Sequence, residues 1–160
     1  MPAWSTEVGR EMVLAASGFG ISLNQLQLQK LIYIAHGWCL ASTGEPLTGD
    51  RPDADKFGPV YARLAELLRP TRLEPVTIAS FAAVELGQAD ASEMELIALT
   101  LREYGSLSTA QLAVVTQGQN TPWSSIYANG SGEGRDIPHA LVRNQFRELG
   151  RASGFQAAAR

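Results

Sequence analysis

Between residues 22 and 43 this chain carries a single formal charge, Lys30. Leu28, Leu31, Ile32, Ala35, Trp38 and Cys39 recur there at helical spacing, and Leu26, Tyr33, Ile34 and Leu40 occupy the other sides. A helix that is apolar all round has to be covered all round, so the rest of the chain is expected to fold about it. The apolar run over 31–41, with His36 inside it, is too short to cross a bilayer. The expected architecture is therefore mainly α, with α+β character from one small β-hairpin, in a compact bundle around a central buried helix near residues 22–43.

The elements around that helix follow from capping and punctuation. Ser5 or Thr6 is read as the cap of a first helix carrying Val8, Met12, Ala15 and Ala16, which stops at Ser17-Gly18-Phe19-Gly20. Ser22 with Gln25 reads as a capping box for the central helix, and Gly44 with Pro46 as its stop. Residues 46–57 read as a short hairpin or irregular β excursion. Gly58-Pro59 reads as a helix start, with proline at the first position, where its missing N–H costs nothing. Val60, Leu64, Leu67 and Leu68 would be the buried stripe of that helix, and Pro70 its end.

Pro75-Val76-Thr77-Ile78 has strand composition, and residues 81–86 fit a strand or a helical turn. Ser92 with Glu95 reads as a second capping box, with Met94, Ile97, Ala98, Leu101 and Tyr104 on one face and Gly105 closing. Ser108 with Gln111 reads as a third, ahead of Leu112 and Val115, and Thr121-Pro122-Trp123 as a capped helix entry. The glycine-rich residues 129–134 read as a mobile loop. Asp136 is expected to cap a last helix with Ile137, Leu141, Val142, Phe146 and Leu149, ending at Gly150. Residues 1–150 are thus expected to form one domain, and 151–160 a tail that frays.

Composition limits the function classes. A length of 160 residues with 45% hydrophobic content suits one folded domain. A net charge of -3 supplies no global positive field to recruit phosphate. Cys39 is the sole cysteine, so no internal disulfide forms and a reducing, cytoplasmic setting is expected. The start, Met1-Pro2-Ala3-Trp4-Ser5-Thr6-Glu7, lacks the basic and apolar regions of a signal peptide.

Candidate chemistry is thin. His36 and Cys39 lie three apart on the central helix, but a catalytic pair needs a thiolate and an open cleft, and burial among Ala35, Trp38 and Leu40 would quiet the thiol. Two histidines, His36 and His139, and one cysteine show no close ligand spacing. Asp50, Asp53 and Asp55 could hold a hard cation, yet Pro52 and the absence of a turn glycine spoil a calcium loop, and a solvated hairpin edge fits better. The 129–134 glycines lack the Lys-Ser/Thr ending of a phosphate loop. Residues 92–104 and 108–116 have helix-turn-helix lengths, but the second helix offers Gln111 among Ala110, Ala113, Val114 and Val115, with no cation. Arg135, Arg143, Arg147, Arg151 and Arg160 gather positive charge near the C-terminus. Arg143 and Arg147 share a face, which is either solvated or meets a partner.

Several separated motifs also line up with one family. Leu28-Gln29-Lys30-Leu31-Ile32-Tyr33 with Gly37-Trp38, the Phe57-Gly58-Pro59-Val60 corner, Tyr104-Gly105 with Leu107-Ser108 and Leu112, Thr116, Pro122-Trp123 and the closing helix over 137–146 together resemble the Panacea domain, also called SocA-like or phage-associated GepA. The resemblance implies a mostly helical antitoxin with a small β element, common in prophages and mobile elements. Its partner would be a protein toxin, and in one variant a cytoplasmic protease to which that toxin is delivered. No catalytic residue is carried over from the family, and no cofactor or metal is expected. One departure stands out: many members carry Thr-His where this chain has Thr116-Gln117, and glutamine cannot switch charge near neutral pH.

The expectation is thus an antitoxin-like protein that binds a toxin directly and is not an enzyme, with no membrane and no nucleic acid among its partners. The alternatives are a helix-turn-helix regulator and a protease adaptor. Proposed contact residues are Lys30, Tyr33, Phe57, Pro122, Trp123, Arg143 and Arg147. Lys30 must find an acceptor or reach water; it either braces the Gly58-Pro59 corner or lines a groove with Gln29 and Tyr33.

Overall fold

The computed structural model describes residues 2–85 and 89–153. Met1, Leu86 at the end of the 81–86 segment, and residues 154–160, with Arg160 and most of the expected tail, lie outside the described residues. Helices α1 (Ser5–Gly18), α2 (Gln25–Thr43), α3 (Ala62–Leu68), α4 (Ala91–Tyr104), α5 (Thr109–Gln117), α6 (Pro122–Tyr127) and α7 (His139–Ser153) accompany strands β1 (Asp53–Asp55) and β2 (Gly58–Val60). Among the described residues the architecture is mainly α with one two-stranded antiparallel sheet, as expected.

α2 is the axle. Every residue from Leu28 to Leu40 is buried, and α1, α4, α5 and α7 all pack on it. α7 approaches closest, because Gly37 leaves room for the Phe146 ring; a Cβ at position 37 would overlap that ring. Tyr33 and Trp38 meet Phe146 edge-on, with centroids 6.2 Å and 5.1 Å away.

Helix starts are displaced from the sequence reading for identifiable reasons. α2 is capped by Asn24, not Ser22: the Asn24 side chain accepts from the Gln27 N–H (2.8 Å), and Gln27 returns its carbonyl oxygen to the Asn24 N–H (2.9 Å). Leu23 is outside the helix because its carbonyl accepts from the Val76 N–H at 2.7 Å. That single bond is all that remains of the expected 75–78 strand, which continues into a 3-10 turn at Ile78–Phe81. Likewise Asp90 with Glu93, and not Ser92 with Glu95, caps α4; the Ser92 hydroxyl donates to the Asp90 carboxylate. α1 begins at Ser5 after a Trp4 N-cap, and the Ser108–Gln111 box, the Thr121 cap and the Gly44 C-cap stand as read.

The Gly58-Pro59 pair does not start a helix; it forms β2, and α3 begins at Ala62. Pro59 sits opposite Ala54 in the hairpin. Ala54 sends both backbone groups the other way, its N–H to Arg135 O (2.8 Å) and its C=O to Gly134 N (2.8 Å), so the missing proline donor costs nothing. Those same bonds correct the expected mobile loop: residues 129–134 form turns stapled to β1. Asp136 makes an isolated bridge with Asp53 and lies outside α7, in whose first turn the Leu141 and Val142 N–H groups bond to Pro138 O. α7 runs through Gly150 to Ser153.

Candidate functional site

The hairpin turn between β1 and β2 is where several of the separated motifs meet. Lys30, three per cent exposed, sends its ammonium from α2 to Phe57 O (2.7 Å) and to Gln117 Oε1 at the end of α5 (2.5 Å). Gly58, at φ +105°, fits between them; a Cβ there would strike the Gln117 side chain and lie 2.9 Å from Lys30 Nζ. Burial lowers the Lys30 pKa to about 8, and the Asp55 carboxylate partly offsets this.

The outer half of the turn is equally constrained. The Phe57 N–H donates to Asp55 Oδ2 (2.9 Å), and the Trp123 indole N–H donates to Asp55 O (2.7 Å). Trp123 stacks on Tyr127, centroids 4.7 Å apart and planes 14° from parallel. β2 is held from behind by Gln29, whose amide accepts from the Tyr61 N–H (2.9 Å) and donates to Tyr61 O (3.1 Å), in the manner of a neighbouring strand. The Phe57 ring is left outside, 56% exposed, with the Lys56 ammonium 5.1 Å from its centroid.

The proposed contact residues therefore divide. Phe57 and Arg147 are exposed, and Trp123 and Arg143 are half-buried, with Arg143 Nε lacking a hydrogen-bond partner. Lys30, Tyr33 and Pro122 are buried, so their side chains offer no surface in this conformation; the apolar packing of α2 and the N-terminal seat of Pro122 in α6 account for that. Of the two roles left open for Lys30, the structure shows the brace at the Gly58-Pro59 corner. Tyr127 was not among the candidates, although its spacing of four from Trp123 on a capped helix was the available signal. Gln117 as the acceptor for Lys30 had no local signal, since 87 residues separate them.

Elsewhere the polar groups are tied into the scaffold. His36 Nδ1 accepts from the Leu47 N–H (3.2 Å), which leaves its proton on Nε2, facing His139 Nδ1 at 3.3 Å. Burial first, and then His139, lowers the His36 pKa to about 3. Burial raises that of Cys39, whose sulfur faces Thr43 and not a base. Asp50 accepts from the Ser5 N–H (2.7 Å) and hydroxyl, capping the start of α1 across the sequence. Asp53 is raised to about 6 by burial and by sharing its site with Asp136, Asp50 and Asp55. Among the described residues no group of three or more His, Cys, Asp or Glu is placed to hold a metal ion. Among them, too, no helix is long and apolar enough to cross a membrane.

A mainly α scaffold that displays one braced hairpin corner defines a class, and the sequence comparison gives it a family. Residues 28–124 match the family described as antitoxin SocA-like, Panacea domain, and the chain belongs to it. Among curated proteins it is similar to the antitoxin SocA of Caulobacter vibrioides (strain NA1000 / CB15N), with 29% identity over 144 residues, covering 82% of this chain and 76% of that protein. No solved structure matches it. The matched region begins in α2 and ends in α6, and so contains Lys30, the hairpin, Gln117 and Trp123.

Proposed function

We propose that this protein is an antitoxin that neutralises a cognate protein toxin by direct contact, through the hairpin corner and the aromatic pair beside it. Membership of the SocA-like family carries the antitoxin reading. The geometry supports the contact reading, because an exposed phenylalanine on a corner whose backbone is already bonded requires little ordering when a partner docks. Phe57 supplies an apolar anchor, Lys56 a charge at its rim, and the Trp123–Tyr127 stack a rigid flank. Arg143 and Arg147 on α7 form a second, cationic contact area. Occlusion of the toxin's working surface then suffices, with no chemistry on the antitoxin. A phage or mobile-element origin is part of the same proposal.

The α4–α5 pair gives the DNA-binding alternative little support. Both helices rest on α2, and the exposed side of α5 presents Ala110, Gln111 and Val114, with no cation. The test is co-expression with the protein encoded by the adjacent open reading frame. Growth rescue and co-purification are expected from the wild type, with both weakened in Phe57→Ala. Rescue that depends on faster loss of the neighbour's protein, measured as its half-life, would instead assign a protease-adaptor role. Failure of both rescue and co-purification overturns the proposal.

A further inference from the structure

Lys30 is an anomaly in its own helix, an ammonium within a run of buried residues from Leu28 to Leu40. Burying a charge is costly, and apolar replacements of similar volume are often as stable or more so. What the group contributes is therefore sought in geometry. Its two acceptors belong to different parts of the chain, the turn carbonyl of Phe57 and the side chain of Gln117. Gly58 lies against the Gln117 side chain and the Lys30 ammonium, so α2, the hairpin and α5 interlock at one nitrogen. With the Phe57 carbonyl drawn inward, and its N–H held by Asp55, the peptide units flanking Phe57 are fixed and the ring is directed outward. Gln117 in turn prevents the ammonium from swinging away from the corner.

We infer that Lys30 and Gln117 are positioning residues for the partner surface: they touch no partner, and they hold Phe57 in its presented orientation. This rests on the reading of the corner as the toxin contact. It predicts that the two residues act through one another, and that the acceptor at position 117 matters more than its neutrality.

The experiment compares Lys30→Met, Gln117→Leu and Gln117→Glu with wild type and Phe57→Ala in the full-length chain. Chymotrypsin cleavage after Phe57 under native conditions reads the order of the corner, with global stability measured in parallel. Calorimetric affinity for the purified product of the adjacent open reading frame reads presentation. Expected are cleavage faster and affinity weaker by roughly tenfold in Lys30→Met and Gln117→Leu, with Gln117→Glu restoring both to within about twofold of wild type. Cleavage and affinity unchanged in folded Gln117→Leu overturn the inference, and so does Gln117→Glu behaving like Gln117→Leu. Should Lys30→Met fail to fold, the two Gln117 variants decide the matter, because Gln117 is only half-buried. Wild-type affinity in Phe57→Ala overturns the contact reading itself, and the cleavage data then judge the positioning role alone.

Discussion

At position 36 an imidazole is buried neutral, and its environment sets a sign for pH dependence. Its folded-state pKa, about 3, lies below the unfolded value near 6.5, so the unfolded chain binds the extra proton first. The stabilising contribution is therefore complete above about pH 6.5 and lost progressively toward pH 3. Urea titrations of wild type and His36→Gln should show a shallower acid-side decline in the variant. Asp53 has the opposite sign. Its pKa is raised to about 6, so its ionised form is disfavoured in the fold, and its contribution improves as pH falls through 6 toward the ordinary carboxylate value. Asp53→Asn should raise the melting temperature at pH 7.5 and change it less at pH 5. A larger gain at pH 5 would contradict this. Neither effect was fully legible in the sequence, because burial, the larger cause in both, is set by the tertiary fold, and one facing partner of each is distant along the chain: His139 faces His36, and Asp136 faces Asp53.

At the level of elements, the packing of α7 on α2 depends on one missing side chain. Gly37→Ala would force a methyl group into the Phe146 ring and separate the two helices, a loss of about 1–3 kcal/mol in chemical denaturation. Phe146→Ala should cost about 3–5 kcal/mol, through the cavity left beside Tyr33 and Trp38. Which elements form was largely readable from periodicity: α1, α2, α4, α5, α6 and α7 all carry apolar residues at helical spacing. Where they begin was less so. Ser22 and Asn24 both head a cap-x-x-Gln pattern, and only the bond between Leu23 and Val76 decides between them. The Gly58-Pro59 pair misled for a similar reason. Proline suits a helix start or a strand position that needs no donor, and the choice was made by Gly134 and Arg135, far along the chain.

For the whole molecule, several of the motifs that are scattered in sequence form one spatial unit, since Lys30, Phe57-Gly58, Gln117 and Trp123 surround a single turn. Elsewhere, Gly37-Trp38 packs against Phe146 of α7, and the Trp38 indole N–H donates to the Tyr104 hydroxyl. Their order along the chain suggested the family, but sequence could not separate brace from surface, and the burial of Lys30, Tyr33 and Pro122 became visible only in the fold. The distinction gives a prediction for the intact protein. Phe57→Ala should leave the melting temperature within about 1 °C of wild type, since an exposed side chain contributes little to folding, while weakening growth rescue against the cognate toxin. A large fall in melting temperature would mean that the ring is part of the core.

The corner has a consequence for how such a protein acquires a new target. Asp55 O, the Phe57 N–H and Phe57 O are all already hydrogen-bonded within the protein. On the proposed contact reading, an incoming toxin would meet the side chain at position 57 and its immediate company. Exchanging that one residue would then rewrite the address while the mount that carries it stays as it was.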